Sequence, residues 1–181
     1  GTERQAVLLA NAFATAGHET TLLTFRPGGP LAGTVSPDVP HRALQPFDLR
    51  ADWFAPGLHR RLRALAPDVV LCLGRMANCY AGGMQAALRE SAALGTMRTG
   101  KPLPDKSLQS LHAVRHIVAN SREARTNLIQ AYFVDPAKIS IIHNSLVFPT
   151  DPSDLAEAPP ARARLRTQWG AGPATTGLLS V

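Results

Sequence analysis

Four short groups in this chain combine residue types that could hold an anion or a polar ligand: Gly1-Thr2, Arg98-Thr99 with Lys101, Asn120-Ser121 and His143-Asn144. Gly1-Thr2-Glu3 has the composition of a helix start, where unpaired amides and the positive helix end attract negative charge and glycine permits close approach. An ordinary capped helix would use the same residues. Arg98 and Lys101 are cations in one short stretch, suited to an anionic acceptor or to developing phosphate charge, although a solvated basic loop has the same composition. His143-Asn144 follows an apolar run, the position at which open parallel sheets present groups to a ligand, and the same pair could bond a linker.

Other chemistries are excluded by what the spacing lacks. Gly95 to Lys101, GTMRTGK, fits the glycine-lysine part of a Walker A motif, but the magnesium-binding hydroxyl is missing and Pro102 and Pro104 forbid the helix that must cradle the phosphates. The histidines are scattered. Only His112 and His116 have a ligand-like spacing, and a strand is expected to start near His116, which would take the pair off a common helix, so no metal is expected. Ser121 lacks the glycine context of a hydrolase nucleophile and reads as a helix start. Cys72 and Cys79 match neither a zinc spacing nor a disulfide framework.

The elements that must position these groups are clearest between Arg115 and Pro149. Ile117 to Ala119 is a short apolar run, and Asn120 with Glu123 has the spacing of a capping box opening a helix. Ala124, Leu128 and Ala131 fall on one face of that helix, Asp135-Pro136 breaks it, and Ile139 to Ile142 supplies the next strand. Upstream, Thr2 with Gln5 predicts a capped helix to Ala16, closed by Gly17, and Thr20 to Phe25 predicts a strand. A Pro- and Gly-rich loop leads to a short strand over His41 to Leu44. Asp52 to Ala66 reads as a helix with Trp53, Phe54, Leu58, Leu62 and Leu65 on its apolar positions, followed by a strand over Val69 to Leu73. Met76 to Leu88 is a helix weakened by Gly82-Gly83, Ala92 to Met97 a strand, and Asp105 to His112 a short helix. The alternation predicts an α/β, Rossmann-like, mostly parallel sheet with helices on both faces.

The order of apolar strand, Asn-Ser, helix, Asp135-Pro136-Ala137-Lys138-Ile139, strand and Asn144 resembles the N-terminal domain of GT-B glycosyltransferases of family 4. Gly1 to Phe25 is similar to that family's glycine loop, first helix and second strand, and Pro67 to Leu73 to its mid-domain strand. The chain departs from the pattern at Asn144-Ser145-Leu146-Val147, where the family typically has an Asn-Gly-Val-Asp-like turn, and at Arg98-Thr99, where a histidine commonly faces the acceptor. The resemblance implies transfer of a sugar from a nucleotide-sugar donor to a glycan, lipid-linked or small-molecule acceptor, as in cell-envelope polysaccharide synthesis, with retention and without a metal or other cofactor. It also implies a strand before Gly1, an acceptor-side domain over residues 1–149, a linker over 150–160, and the start of a donor-binding domain over 161–181. The family's Glu-x7-Glu pair is not found among Glu3, Glu19, Glu90, Glu123 and Glu157, so the chain alone is expected to be inactive.

Composition sets the outer bounds. With 181 residues, 45% of them apolar, the chain can bury one sizeable core, and no apolar run reaches the roughly 20 residues that span a bilayer. The expected setting is cytoplasmic, with peripheral contact at the inner face of an anionic membrane as a compatible partner. The net charge of +6 is mainly arginine, with only Lys101, Lys106 and Lys138 as lysines. This supports the rival reading, a non-catalytic basic module for an anionic ligand, a membrane surface or nucleic acid. The Arg60-Arg61-Arg63 and Arg162-Arg164-Arg166 clusters have no interleaved aromatics, so no specific nucleic-acid partner is expected.

Overall fold

The computed structural model describes residues 1–98, 102–144, 160, 162–172 and 175. The chain divides into two compact units, Gly1–Asn144 and Ser145–Val181. The first contains α1 (Thr2–Thr15), β1 (Leu22–Thr24), β2 (His41–Ala43), α2 (Leu58–Leu65), β3 (Val69–Leu71), α3 (Arg75–Ala87), β4 (Ala92–Met97), α4 (Asp105–Ala113), β5 (His116–Ala119), α5 (Arg122–Gln130) and β6 (Ile139–Ile141). All strand pairings among the described residues are parallel, with a helix returning the chain between successive strands from β3 to β6 and a long loop between β1 and β2. β3-β4-β5-β6 form one sheet in sequential order and β1-β2 a second. The architecture is α/β and Rossmann-like, with a parallel sheet and helices on both faces.

The core lies where α3, α4 and α5 cover the four-stranded sheet. Leu111, Val114, Ile117, Ala119 and Leu128 are fully buried there. Gly82 explains how close the helices come. A Cβ on it would lie 2.9 Å from the Ser110 backbone, so the glycine that lowers helix propensity is what lets α3 press against α4. Gly95 has a comparable role in β4, where a Cβ would meet Leu111 at 2.6 Å. It is a packing glycine within a strand and opens no phosphate loop.

Several boundaries differ from the sequence expectation for local reasons. Thr2 is not the cap of α1. Gly1 occupies that position without a side-chain cap bond, and the Gln5 amide donates to the Gly1 carbonyl at 3.3 Å. The other end closes as foreseen, with Gly17 at φ 88° and the His18 amide reaching the Phe13 carbonyl. The helix expected from Asp52 begins only at Leu58, because Pro56-Gly57 interrupts it with Gly57 left-handed. Trp53 and Phe54 therefore sit on an exposed loop and not in the core, while Leu58 and Leu62 are buried as predicted. α5 is capped one residue later than predicted, by Ser121 instead of Asn120, and Ala131, expected on its buried face, is its exposed C-cap.

Within the second unit, residues 162–168 are helical. The Ala171 amide closes the following turn on the Arg166 carbonyl at 2.8 Å, and the Arg166 guanidinium donates to the carbonyls of Gly172 and Thr175. Residues 176–181 of the expected start of a donor-binding domain and nearly all of the 150–160 linker lie outside the described residues.

Candidate functional site

In a parallel sheet the chain reverses direction after every strand, so the carboxyl ends of the strands collect helix starts and loop side chains along one edge. In this chain that edge gathers Gly1, Gly74, Arg98, Asn120, His143 and Asn144. β3 runs through Cys72 and Leu73 into Gly74, which caps α3 at φ 91° and ψ 163°, a backbone conformation that side-chain-bearing residues rarely adopt. A Cβ at Gly74 would come within 3.5 Å of the Thr2 methyl, so the starts of α1 and α3 lie side by side. Two helix starts together concentrate unpaired amides and positive dipole ends at one place, an arrangement suited to a phosphate.

The next strands supply the side chains. Arg98 follows β4 directly and donates from Nη2 to the Asn144 Oδ1 at 2.7 Å, linking the ends of β4 and β6 across β5. Between them, the Asn120 amide donates to the Met97 carbonyl at 3.0 Å, and the Ile142 amide to the Ala119 carbonyl at 2.9 Å. The strand ladder therefore continues into the site residues. His143 Nδ1 lies 3.1 Å from the Asn120 carbonyl, which holds the imidazole on the same edge. The Ser121 hydroxyl accepts the Ala124 amide at 3.0 Å as the cap of α5.

Of the residues singled out from sequence, Arg98, Asn120, His143 and Asn144 are brought together, and Gly1 and Thr2 stand at the neighbouring start of α1. Thr99 and Lys101 lie outside the described residues. Sequence reasoning missed Gly74, Arg75 and Asn78. The signal for the first two was a Gly-Arg pair directly after an apolar strand, the usual composition of a loop that opens onto a ligand. Asn78 carries no local signal because its partners are remote in sequence. Its Oδ1 accepts the Thr96 amide at 3.0 Å and its Nδ2 donates to the Thr96 carbonyl at 2.6 Å, both buried. The Thr96 hydroxyl adds a bond to the Cys72 carbonyl at 2.8 Å.

This edge offers a guanidinium fork, an imidazole and exposed amides, a set suited to binding and neutralising negative charge. Cys72 is not a nucleophile, since burial pushes its thiol up to about 12. Among the described residues no group of His, Cys, Asp or Glu could hold a metal ion, and no helix is long and apolar enough to cross a membrane. His112 lies in the last turn of α4 and His116 opens β5, where its Nε2 meets the Ser140 hydroxyl at 2.8 Å, so the two do not share a helix.

Comparison with known proteins gives a family and agrees with the fold. Residues 1–146 match the Glycosyltransferase Family 4 model. A glycosyltransferase from Rickettsia africae ESF-5 superposes with a TM-score of 0.66 at 15% identity, over 96% of this chain and 47% of that one. Anabaena Alr3699/HepE, solved in complex with UDP and glucose, superposes with a TM-score of 0.60 at 17% identity, over 92% of this chain and 46% of that one. The chain thus spans about half the length of these structures. No curated protein sequence matches it significantly. The family match covers every strand of the sheet, so the chain belongs to glycosyltransferase family 4 and has the Rossmann-like fold of a GT-B N-terminal domain.

Proposed function

We propose that this chain is the acceptor-side part of an enzyme that moves a hexosyl group from a nucleotide-sugar donor to an acceptor, with retention at the anomeric carbon and without a metal. The observation that carries the reading is the coupling of Arg98 to Asn144 beside the paired starts of α1 and α3. Departure of a nucleoside diphosphate leaves negative charge. A guanidinium fixed by a neutral amide, next to convergent backbone amides, stabilises such charge without reorganising. The UDP and glucose bound by Alr3699/HepE support a uridine nucleotide sugar as the donor class. Gly1, Thr2, Arg98, Asn120 and His143 would contact acceptor or donor phosphate, joined by Thr99, Lys101, Ser121 and Asn144. The strand that should feed α1 and a second, donor-binding domain complete the enzyme in this reading.

The test is sugar transfer from a panel of nucleotide sugars by the intact enzyme and by the 181-residue chain. The intact enzyme should transfer and the chain alone should not. Arg98→Ala in the intact enzyme should lower kcat by about a hundredfold, the scale of losing one preorganised charge-stabilising group. Transfer by the chain alone, or full activity of Arg98→Ala, would overturn the reading.

A further inference from the structure

The loop between β2 and α2 carries apolar side chains that the fold holds out into solvent. It exposes Phe47 to 63% and Trp53 to 65%, and Leu49 and Phe54 are also exposed. Such a cluster is unusual on a soluble surface. The loop is tied down from beneath. Gln45, only 1% exposed, donates to the Ala51 and Phe54 carbonyls at 2.7 and 2.8 Å and accepts the Leu49 amide at 3.3 Å. Arg26 clamps it from the side, bonding Asp48 and Asp52 at 2.6 and 2.9 Å. Beside the loop is a shallow cleft of about 550 Å³ between Pro46, Pro56, Arg60 and Arg61. Arg60 and Arg63 on α2 point outward one turn apart, and no ion pair engages either among the described residues.

We propose that this face docks on an anionic lipid bilayer, with Phe47, Trp53 and Phe54 entering the headgroup zone and Arg60 and Arg63 meeting lipid phosphates. Four observations select a bilayer over other occupants. Trp and Phe on a rigid loop, flanked by arginines, match the apolar and anionic layers of a membrane interface. The acids of the loop, Asp48 and Asp52, are offset by Arg26 and Arg50, so the arginines of α2 leave this face with a positive charge. The Trp53 and Phe54 rings stand at 63° to each other, which offers no parallel platform for stacked bases. A second copy of this chain would bring like charges together, given the net charge of +6.

The docking face is linked to the candidate site. The Tyr80 hydroxyl on α3 donates to the Trp53 carbonyl, and the Tyr80 ring meets Phe25 at 5.6 Å between centroids. Lipid contact would thus lie near the helix whose start faces the site, and the acceptor would be lipid-carried. That corollary rests on the transferase reading, whereas the docking itself does not.

Trp53 and Trp169 are the two tryptophans of the chain, so Trp169→Phe leaves Trp53 as the sole reporter. Adding phosphatidylcholine vesicles that contain phosphatidylglycerol should shift Trp53 emission to the blue, and brominated lipid should quench it. Pure phosphatidylcholine should do much less. In sedimentation with the same vesicles, Phe47→Ser should lower partitioning about tenfold and Arg60→Ala about fivefold. Both positions are exposed, so circular dichroism should be unchanged. No emission change with either vesicle, an emission already that of a buried indole without vesicles, or partitioning indifferent to both substitutions would overturn docking. Transfer by the intact enzyme to a water-soluble acceptor should be unaffected by Phe47→Ser. A failure of docking would therefore leave transfer intact, and a failure of transfer would leave vesicle binding intact.

Discussion

The four-stranded and two-stranded sheets are both parallel, yet they are buried very differently. Ile117 and Ala119 in β5 are fully inaccessible, whereas every residue of β1 is only half-buried and β2 exposes Arg42. The difference lies in neighbours. β5 has a strand on each side, while β1 and β3 each keep one edge unpaired among the described residues, and Val69 at the start of β3 is more than half exposed. A strand's burial is thus set by how many strands flank it as much as by its own sequence. Cohesion should be concentrated in β3 to β6, with β1-β2 the first part to open.

The largest test of that contrast is a pair of truncations. Ile117→Ala should destabilise by about 2–5 kcal/mol and half-buried Leu23→Ala by about 1–2 kcal/mol, read from denaturant midpoints. Equal losses would mean that the two sheets unfold as one equally packed body. Next come the adjacent glycines of α3. Gly82→Ala forces Cβ against the Ser110 backbone and should cost about 1–3 kcal/mol. Gly83→Ala meets only the His59 ring at 3.4 Å and should be neutral or gain up to about 1 kcal/mol in helix propensity.

A smaller effect concerns two left-handed residues, one on each side of the contrast. Ala66 ends α2 at φ 43°, and Phe133 follows α5 at φ 54°, where the Val134 amide reaches back to the Leu128 carbonyl at 3.0 Å. Ala66→Gly and Phe133→Gly should each raise stability by about 1 kcal/mol, measurable as a rise in Tm. A gain only at Phe133 would show that the α2 region has already yielded before the four-stranded sheet unfolds.

The smallest effect is electrostatic. The Arg26 guanidinium, and then the Arg50 amide, hold Asp48 down to about 2 from its ordinary 3.8. A depressed carboxyl stabilises the fold fully above the unfolded value and loses that contribution as pH falls through the folded one. The loop anchor should therefore be complete above pH 3.8 and vanish near 2. A carboxyl-carbon NMR titration of Asp48 checks this, and Arg26→Ala should return the midpoint toward the ordinary value.

Local chemistry made much of the fold legible. Gly17 closed α1 and apolar runs marked β4 and β5 almost to the residue, whereas α5 ends at Gln130, before Asp135-Pro136 is reached. What failed was governed by context. Trp53 and Phe54 have helical spacing, but Pro56-Gly57 breaks the helix before their turn is reached. The site was half legible. Polar residues after strands pointed to Arg98, Asn120, His143 and Asn144, whereas Gly74 and Asn78 matter through contacts with α1 and β4, which no window of neighbouring residues contains.

Asn78 sets a constraint on how this domain can vary. Its amide takes the place of a peptide group. β3 turns away after pairing Leu71 with Leu94, and the Asn78 side chain then offers Thr96 the acceptor and donor that a further strand residue would have offered. The helix is thereby indexed to the strand two residues before Arg98. Aspartate has the shape without the donor, leucine has the volume without either bond, and glutamine reaches one carbon too far. Drift at this position would move Arg98 against the start of α3, so among sequences that keep this edge assembled, residue 78 should be the least negotiable of those that never touch a ligand.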